Sequence, residues 1–358
     1  MKTLLRLLLK SQHQQNRSGR AQTEKGMTLI ELLIGTVMAF LIITPMLGFV
    51  VDMLNTDRRE QVKSNTEQDI QAAVDFIAQD LSQAIYIYDN SADGVPALTT
   101  KTFIPTVTNG TPILVFWKRQ QLKNSLPITA GDAPNTCTDS TPLTGTGACN
   151  DSYVLSLVAY YQVSDTNTTW CQPSGGTCPT RIVRYQIQDG LKNPAQSANA
   201  DPVQRYFADG VLTDGQKLSK AFDIGAVGRS GFDINNPTEK VTKPGVAWER
   251  IDVLVNYLDN GTKPVFTDTE CTTALGNPTT QIGTTTSPIG EDTLKVTDRI
   301  TKINSFYACV DTQKNLARVT IRGNSLRRLQ TDAKYDASKS AFFPTATVQV
   351  QGLGARGK

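Results

Sequence analysis

The sequence predicts an α+β fold: a long N-terminal α-helix, membrane-spanning in its first half and amphipathic in its second, packed on a β-rich globular domain with long loops. Three observations carry this. Met27–Val51 is a 25-residue apolar run holding one ionisable side chain, longer than the roughly 20 residues a helix needs to cross a bilayer core. Beyond it, Ile70, Val74, Ile77, Leu81 and Ile85 recur at helical spacing, with Asp75, Gln79, Asp80 and Gln83 between them, an amphipathic stripe that needs a surface to lie on. From Asp89 onward short apolar runs alternate with Thr-, Asn-, Gly- and Pro-rich connections, the pattern of strands and loops. The chain therefore divides into a basic leader over 1–26, a transmembrane helix over 27–51, an amphipathic helix over 52–88 and a β-rich domain over 89–358.

Composition narrows the function. The 358 residues carry 36 Lys+Arg against 33 Asp+Glu, a net charge of +3. No global basic field exists to attract nucleic acid, and none is expected as a partner. The lone histidine, His13, lies in the leader. Without it, a Ser-His-Asp or Cys-His mechanism and a His-ligated metal are all out of reach. A non-enzymatic protein with no metal and no cofactor is the expectation. Charge is also unevenly placed: residues 1–26 hold six basic side chains against Glu24, a local +5 that leaves −2 for the remainder.

A basic leader before an apolar span stays on the cytoplasmic side, which sends everything after Val51 outward. A cleaved secretory signal is the competing reading, but Leu47–Asp52 offers a poor small-x-small site and the run is long for one. A plain uncleaved anchor explains everything except Glu31. A carboxylate inside an apolar helix is costly, and intramembrane acids tend to have a partner or a function.

Lys25-Gly26-Met27-Thr28-Leu29-Ile30-Glu31-Leu32-Leu33 resembles the processing signature of type IV pilins and type II secretion pseudopilins. The resemblance is sequence-specific over about residues 25–60 and architectural beyond. It implies that a prepilin peptidase cuts between Gly26 and Met27, that the new Met27 amine is N-methylated, and that Glu31 is the carboxylate setting subunit register. Met27 stands where the family most often has Phe, and Pro45 lies earlier than the corresponding proline in major pilins. The residue chemistry fits: four residues along a helix rise about 6 Å, so a helix sliding past a neighbour can bring its Met27 amine against the neighbour's Glu31. Each charge is costly alone in lipid and cheaper paired. The implied partners are the prepilin peptidase, other pilin or pseudopilin subunits, an inner-membrane assembly platform and membrane lipid. The implied location is the bacterial inner membrane, single-pass with the leader inside, then an extracytoplasmic filament. A bulky head favours a minor subunit. The alternative is a single-pass anchored binding protein or adhesin that never polymerises.

In the β-rich part the expected strands are Ile113–Trp117, Tyr153–Val163, Arg181–Gln188, Arg250–Leu258, Ser305–Val310, Ala317–Arg322 and Thr345–Gln351, with long connections over 126–150, 189–247 and 260–299. Six cysteines, Cys137, Cys149, Cys171, Cys178, Cys271 and Cys309, all follow the span. Their even number in an outward-facing domain points to disulfides. Short loops favour joining them in chain order, although fifteen connectivities exist for any six cysteines, and free buried thiols remain an option. Paired zinc-ligand spacing is absent. Gly352, Gly354 and Gly357 spell a phosphate-loop pattern without the helix it requires. Asp89–Gly94 reads as the turn ending the long helix, and Arg322, Arg327, Arg328 and Lys334 read as a solvated basic face.

Overall fold

The computed structural model describes residues 28–129, 131–137, 147–196, 202–223, 241–243, 245–262, 268–282 and 284–353. The chain divides into two compact units, Met1–Asp57 and Arg58–Lys358. In the first, the described residues form the opening part of one helix, α1 (Leu29–Ser82). The rest of α1 belongs to the second unit and contributes Ile70, Ala73, Val74, Ile77 and Leu81 to its core.

That second unit is built on two antiparallel sheets. Strands β1 (Ala84–Ile87), β2 (Gly110–Pro127), β3 (Cys149–Val163), β4 (Thr180–Gln188) and β5 (Arg250–Leu258) lie side by side in chain order, so the larger sheet is a meander. Strands β8 (Lys295–Val296), β9 (Phe306–Asp311), β10 (Leu316–Arg322) and β11 (Thr345–Gln351) form the smaller sheet, and β6 (Thr279–Ile282) pairs with β7 (Thr285–Pro288) as a separate hairpin. Among the described residues three short helices, α2 (Val95–Thr100), α3 (Glu270–Ala274) and α4 (Glu291–Leu294), sit in the connections.

The α1 stripe buries Thr66, Ile70, Ala73, Val74, Ile77, Asp80 and Leu81, one face at helical spacing. Its apolar members share a single core with residues of β2, β3, β4, β9 and β10. Side chains also cover the opposite face of the larger sheet: the Trp117 indole donates to the Tyr88 hydroxyl at 3.0 Å and meets Phe222 edge to face. Sheets covered on both sides read as continuous apolar runs, and Ser156–Val163 is buried throughout. At the end of β10, Gly323 touches α1 so closely that a Cβ there would lie 2.2 Å from Ile70 Cδ1 and 2.9 Å from Thr66 Cγ2. Gly323→Ala is expected to lower unfolding free energy by about 1–3 kcal/mol, the usual cost of overpacking, measured by urea denaturation; an unchanged midpoint would mean α1 yields freely.

The helix ends at Ser82, short of the 88 expected from a stripe that runs on to Ile85, because Ala84–Ile87 pairs with Phe116–Lys118 as β1. Ile85 leaves the helical stripe and joins a strand. A latch holds this exit: the Asn315 side-chain amide donates to the Ala84 carbonyl at 2.9 Å, and Gly352 N–H donates to the Asn315 carbonyl at 2.9 Å. A Cβ on Gly352 would stand 2.3 Å from that Ala84 oxygen, so close backbone approach, not phosphate binding, accounts for this glycine. Residues 354–358 of the glycine pattern lie outside the described residues. Asp89–Gly94 follows β1 and precedes α2: Asp89 Oδ1 accepts from Ser91 N–H at 3.0 Å, and Val95 N–H donates to the Asp89 carbonyl at 2.9 Å.

Strand β2 is the other large departure, reaching Pro127 where an end near Trp117 is expected. Its polar extension Arg119–Pro127 pairs with Cys149–Leu155 as a two-stranded ribbon. Disulfides join Cys137–Cys149, Cys171–Cys178 and Cys271–Cys309, the pairing that short loops favour. The Cys271–Cys309 bridge is buried and spans 38 residues. Beside it the buried Lys295 ammonium lies 3.0 Å from Glu270 and 3.3 Å from Asp268. Loop-closure entropy for that span is worth about 4 kcal/mol, so Cys271→Ser/Cys309→Ser is expected to cost roughly that in non-reducing denaturant melts, more than opening either shorter loop. An equal cost for the three pairs would contradict the loop-length argument.

The basic cluster is not a solvated face. Arg327 is buried and donates to the carbonyls of Thr177, Pro173 and Gly175 at 3.0, 2.9 and 3.2 Å, tying down the loop that Cys171–Cys178 closes. Arg322 pairs with Asp259 at 2.6 Å and Arg328 pairs with Asp69 of α1; of the four, Lys334 alone is exposed.

Buried Asp189 gives the domain a pH-dependent element. Leu155 N–H donates to it at 2.6 Å and the Lys192 ammonium lies 3.7 Å away. Burial pushes its carboxyl up to about 6, against the pull of Lys192. The folded value exceeds the unfolded 3.8, so this stabilisation is full below the unfolded value and is lost as pH rises through the folded one. Asp189→Asn is expected to flatten stability between pH 4 and 6, by up to about 3 kcal/mol, in urea titrations across that window. An unaltered slope would exclude Asp189 as its source.

Candidate membrane and assembly surface

Helix α1 begins where the sequence offers a cap. The Thr28 carbonyl accepts from Glu31 N–H at 3.0 Å and from Leu32 N–H at 3.2 Å, while Thr28 Oγ1 stands 3.4 Å from Glu31 N. Thr28-Leu29-Ile30-Glu31 has the spacing of a capping box. Glu31 occupies the first turn, where the positive end of the helix dipole favours an acid.

From there to the end of the apolar run every side chain is exposed: Leu29 at 87%, Phe40 and Phe49 each at 72%. An all-apolar helix with no internal cover is unstable in water and at home in lipid or against other helices. One helix of the described residues, α1, is long and apolar enough to cross a membrane, near the N-terminus. Two hydroxyls inside the run return to the backbone, Thr36 to the Leu33 carbonyl at 2.9 Å and Thr44 to the Phe40 carbonyl at 2.8 Å, which spares the run two unsatisfied donors in lipid. The helix continues through Pro45, whose missing N–H leaves the Leu41 carbonyl without its intrahelical donor.

Of the residues the sequence singles out, Glu31 is placed on the exposed apolar segment, and the six cysteines form the three bridges of the second unit. Gly26 and Met27, the expected cleavage and methylation positions, lie outside the described residues. No group of three or more His, Cys, Asp or Glu side chains is arranged to hold a metal among the described residues.

Sequence reasoning missed a buried charge cluster of the second unit. Asp80 reads as a solvent residue between apolar positions, yet it is buried on the inner face of α1. Its Oδ1 accepts from Lys118 of β2 at 2.8 Å; its Oδ2 accepts from the Tyr160 hydroxyl of β3 and Arg184 Nε of β4, both at 2.7 Å. Burial works against ionising Asp80, but Arg184 and Lys118 together hold its carboxyl below the ordinary range. Tyr160 moves the other way, raised by burial and then by Asp80. The signal was present: Asp80 sits three residues after Ile77 and beside Leu81, in phase with the stripe. One carboxylate thus fastens the helix to three successive strands. No family model, curated protein or solved structure matches the chain.

Proposed function

We propose that this protein is a non-enzymatic filament subunit, a minor pilin or pseudopilin, cut between Gly26 and Met27, methylated at Met27 and assembled through the apolar part of α1. The observation that carries the reading is Glu31, the one acid on an otherwise apolar, wholly exposed helical segment, directly after a Lys-Gly junction. In assembly it neutralises the Met27 amine of an adjacent subunit and so selects axial register along an interface that otherwise slides. The disulfide-bonded unit is extracytoplasmic, in keeping with three bridges that need an oxidising compartment. Intact-mass measurement of the purified protein tests the processing: the expected chain begins at N-methylated Met27. A chain that begins at Met1 or near Asp52 overturns it.

The Thr28–Glu31 cap favours a second reading, an anchored extracytoplasmic binding protein that does not polymerise. There Glu31 completes a helix start and has no intersubunit role.

A further inference from the structure

Between the last turns of α1 and strands β2, β3 and β4 lies an open cavity of about 640 Å³, within the range of roughly 300–1,000 Å³ common for small-molecule sites. It is not an apolar hollow. Two half-exposed rings, Phe76 at 41% and Tyr153 at 43%, stand on its lining. The Arg119 guanidinium lies 3.7 Å over the Tyr153 ring, a stacking that fixes the plane and leaves its edge N–H groups for a planar anion. The Arg119 backbone N–H donates to the Gln83 carbonyl at 3.1 Å, which ties the strand to the end of the helix. Deeper in, Lys118 and Arg184 converge on Asp80. The lining thus holds three cations and one acid, together with the amides of Gln79, Gln83, Gln120, Gln121 and Gln186.

This chemistry selects a ligand class. Flat aromatic faces receive the C–H faces of sugar rings, amides match hydroxyls as both donors and acceptors, and a stacked guanidinium takes a carboxylate. A peptide adding itself as a strand would need a free sheet edge, and at Arg184 and Gln186 there is none, since β4 is paired there with both β3 and β5. We propose that this cavity binds a carboxylated sugar, a uronic acid unit of an acidic glycan, with Arg119 on the carboxylate and Tyr153 and Phe76 against the rings. The proposal is independent of whether the chain polymerises, since every group in it belongs to the second unit.

The test is isothermal titration of the full chain, in detergent micelles, with tetragalacturonate, with maltotetraose as the neutral control and sodium citrate as the sugar-free carboxylate. Saturable binding of tetragalacturonate is expected, at least tenfold tighter than maltotetraose, and weakened at least tenfold by Arg119→Gln and by Tyr153→Ala. Both positions are exposed, and unchanged thermal melts establish that the variants fold. Binding of citrate as tight as tetragalacturonate overturns the sugar assignment. Absence of tetragalacturonate binding, or binding indifferent to Arg119→Gln in a folded variant, overturns the site.

Discussion

Asp80→Ala is expected to destabilise the β-rich unit by about 3–5 kcal/mol, the usual cost of removing one partner from a buried ion pair. Lys118 and Arg184 would lose their shared counter-charge while remaining buried, and the Tyr160 hydroxyl would lose its acceptor. Arg184 retains only the exposed Asp252 at 3.8 Å as a carboxylate neighbour in the same sheet, too solvated to compensate. The arrangement itself is not intrinsically strong, because desolvating three charges consumes most of their attraction. Asp80→Leu combined with Lys118→Met and Arg184→Met is therefore expected to recover most of the stability lost in the single variant. Chemical denaturation of the three proteins reads this directly, and a loss under about 1 kcal/mol for Asp80→Ala would show that water replaces the carboxylate. Acid should reproduce part of the effect. The folded Asp80 value is depressed, so its stabilisation is present above the unfolded 3.8 and disappears as pH falls through the lower folded value. That window lies below the one governed by Asp189.

Glu31→Gln is expected to leave membrane insertion intact and to reduce incorporation into isolated fibres by about fiftyfold or more. This corresponds to the roughly 2.5 kcal/mol that an uncompensated charge costs in a bilayer by insertion scales, here the amine left without its partner. The amide keeps the size and hydrogen-bonding reach of a capping side chain but has no charge to answer an amine. Thr28→Ala is the complement: it removes the capping hydroxyl and leaves the carboxylate. Assembly that tolerates Thr28→Ala and fails with Glu31→Gln supports register selection. Failure with Thr28→Ala and tolerance of Glu31→Gln assigns Glu31 to the cap alone, and the register-pairing idea falls with it. Quantitative blotting of sheared fibres against the membrane fraction supplies the measurement.

The fold class is legible because its main elements have one-dimensional signatures. Arg250–Leu258 and Thr345–Gln351 appear at their full observed extent, since strand alternation there survives with little interruption. Where partners decide, the sequence is mute. Leu81 to Ile85 continues a helical spacing, yet the edge of β2 captures Ala84–Ile87 as a strand. Arg119–Pro127 is too polar to read as a strand and is one only because Cys149–Leu155 lies opposite. Likewise nothing in the sequence separates Arg327 from the half-buried Arg328 beside it, and three loop carbonyls make its burial tolerable. Of the candidate membrane and assembly surface, Glu31 and the apolar run are plain from composition. The aromatic and glutamine lining of the cavity is scattered over α1, β2, β3 and β4, and no spacing rule unites it.

The latch at Ala84 gives the second unit a mechanical character. Its opening helix runs straight into a strand whose first carbonyl is gripped by Asn315, and Asn315 in turn holds the residue after β11. Tension drawn along α1 therefore arrives as shear on hydrogen bonds to β2 and, through Asn315, on the final strand of the smaller sheet. A pull on the stem loads both sheets together, so the unit should yield abruptly as one body and not by peeling away a strand at a time.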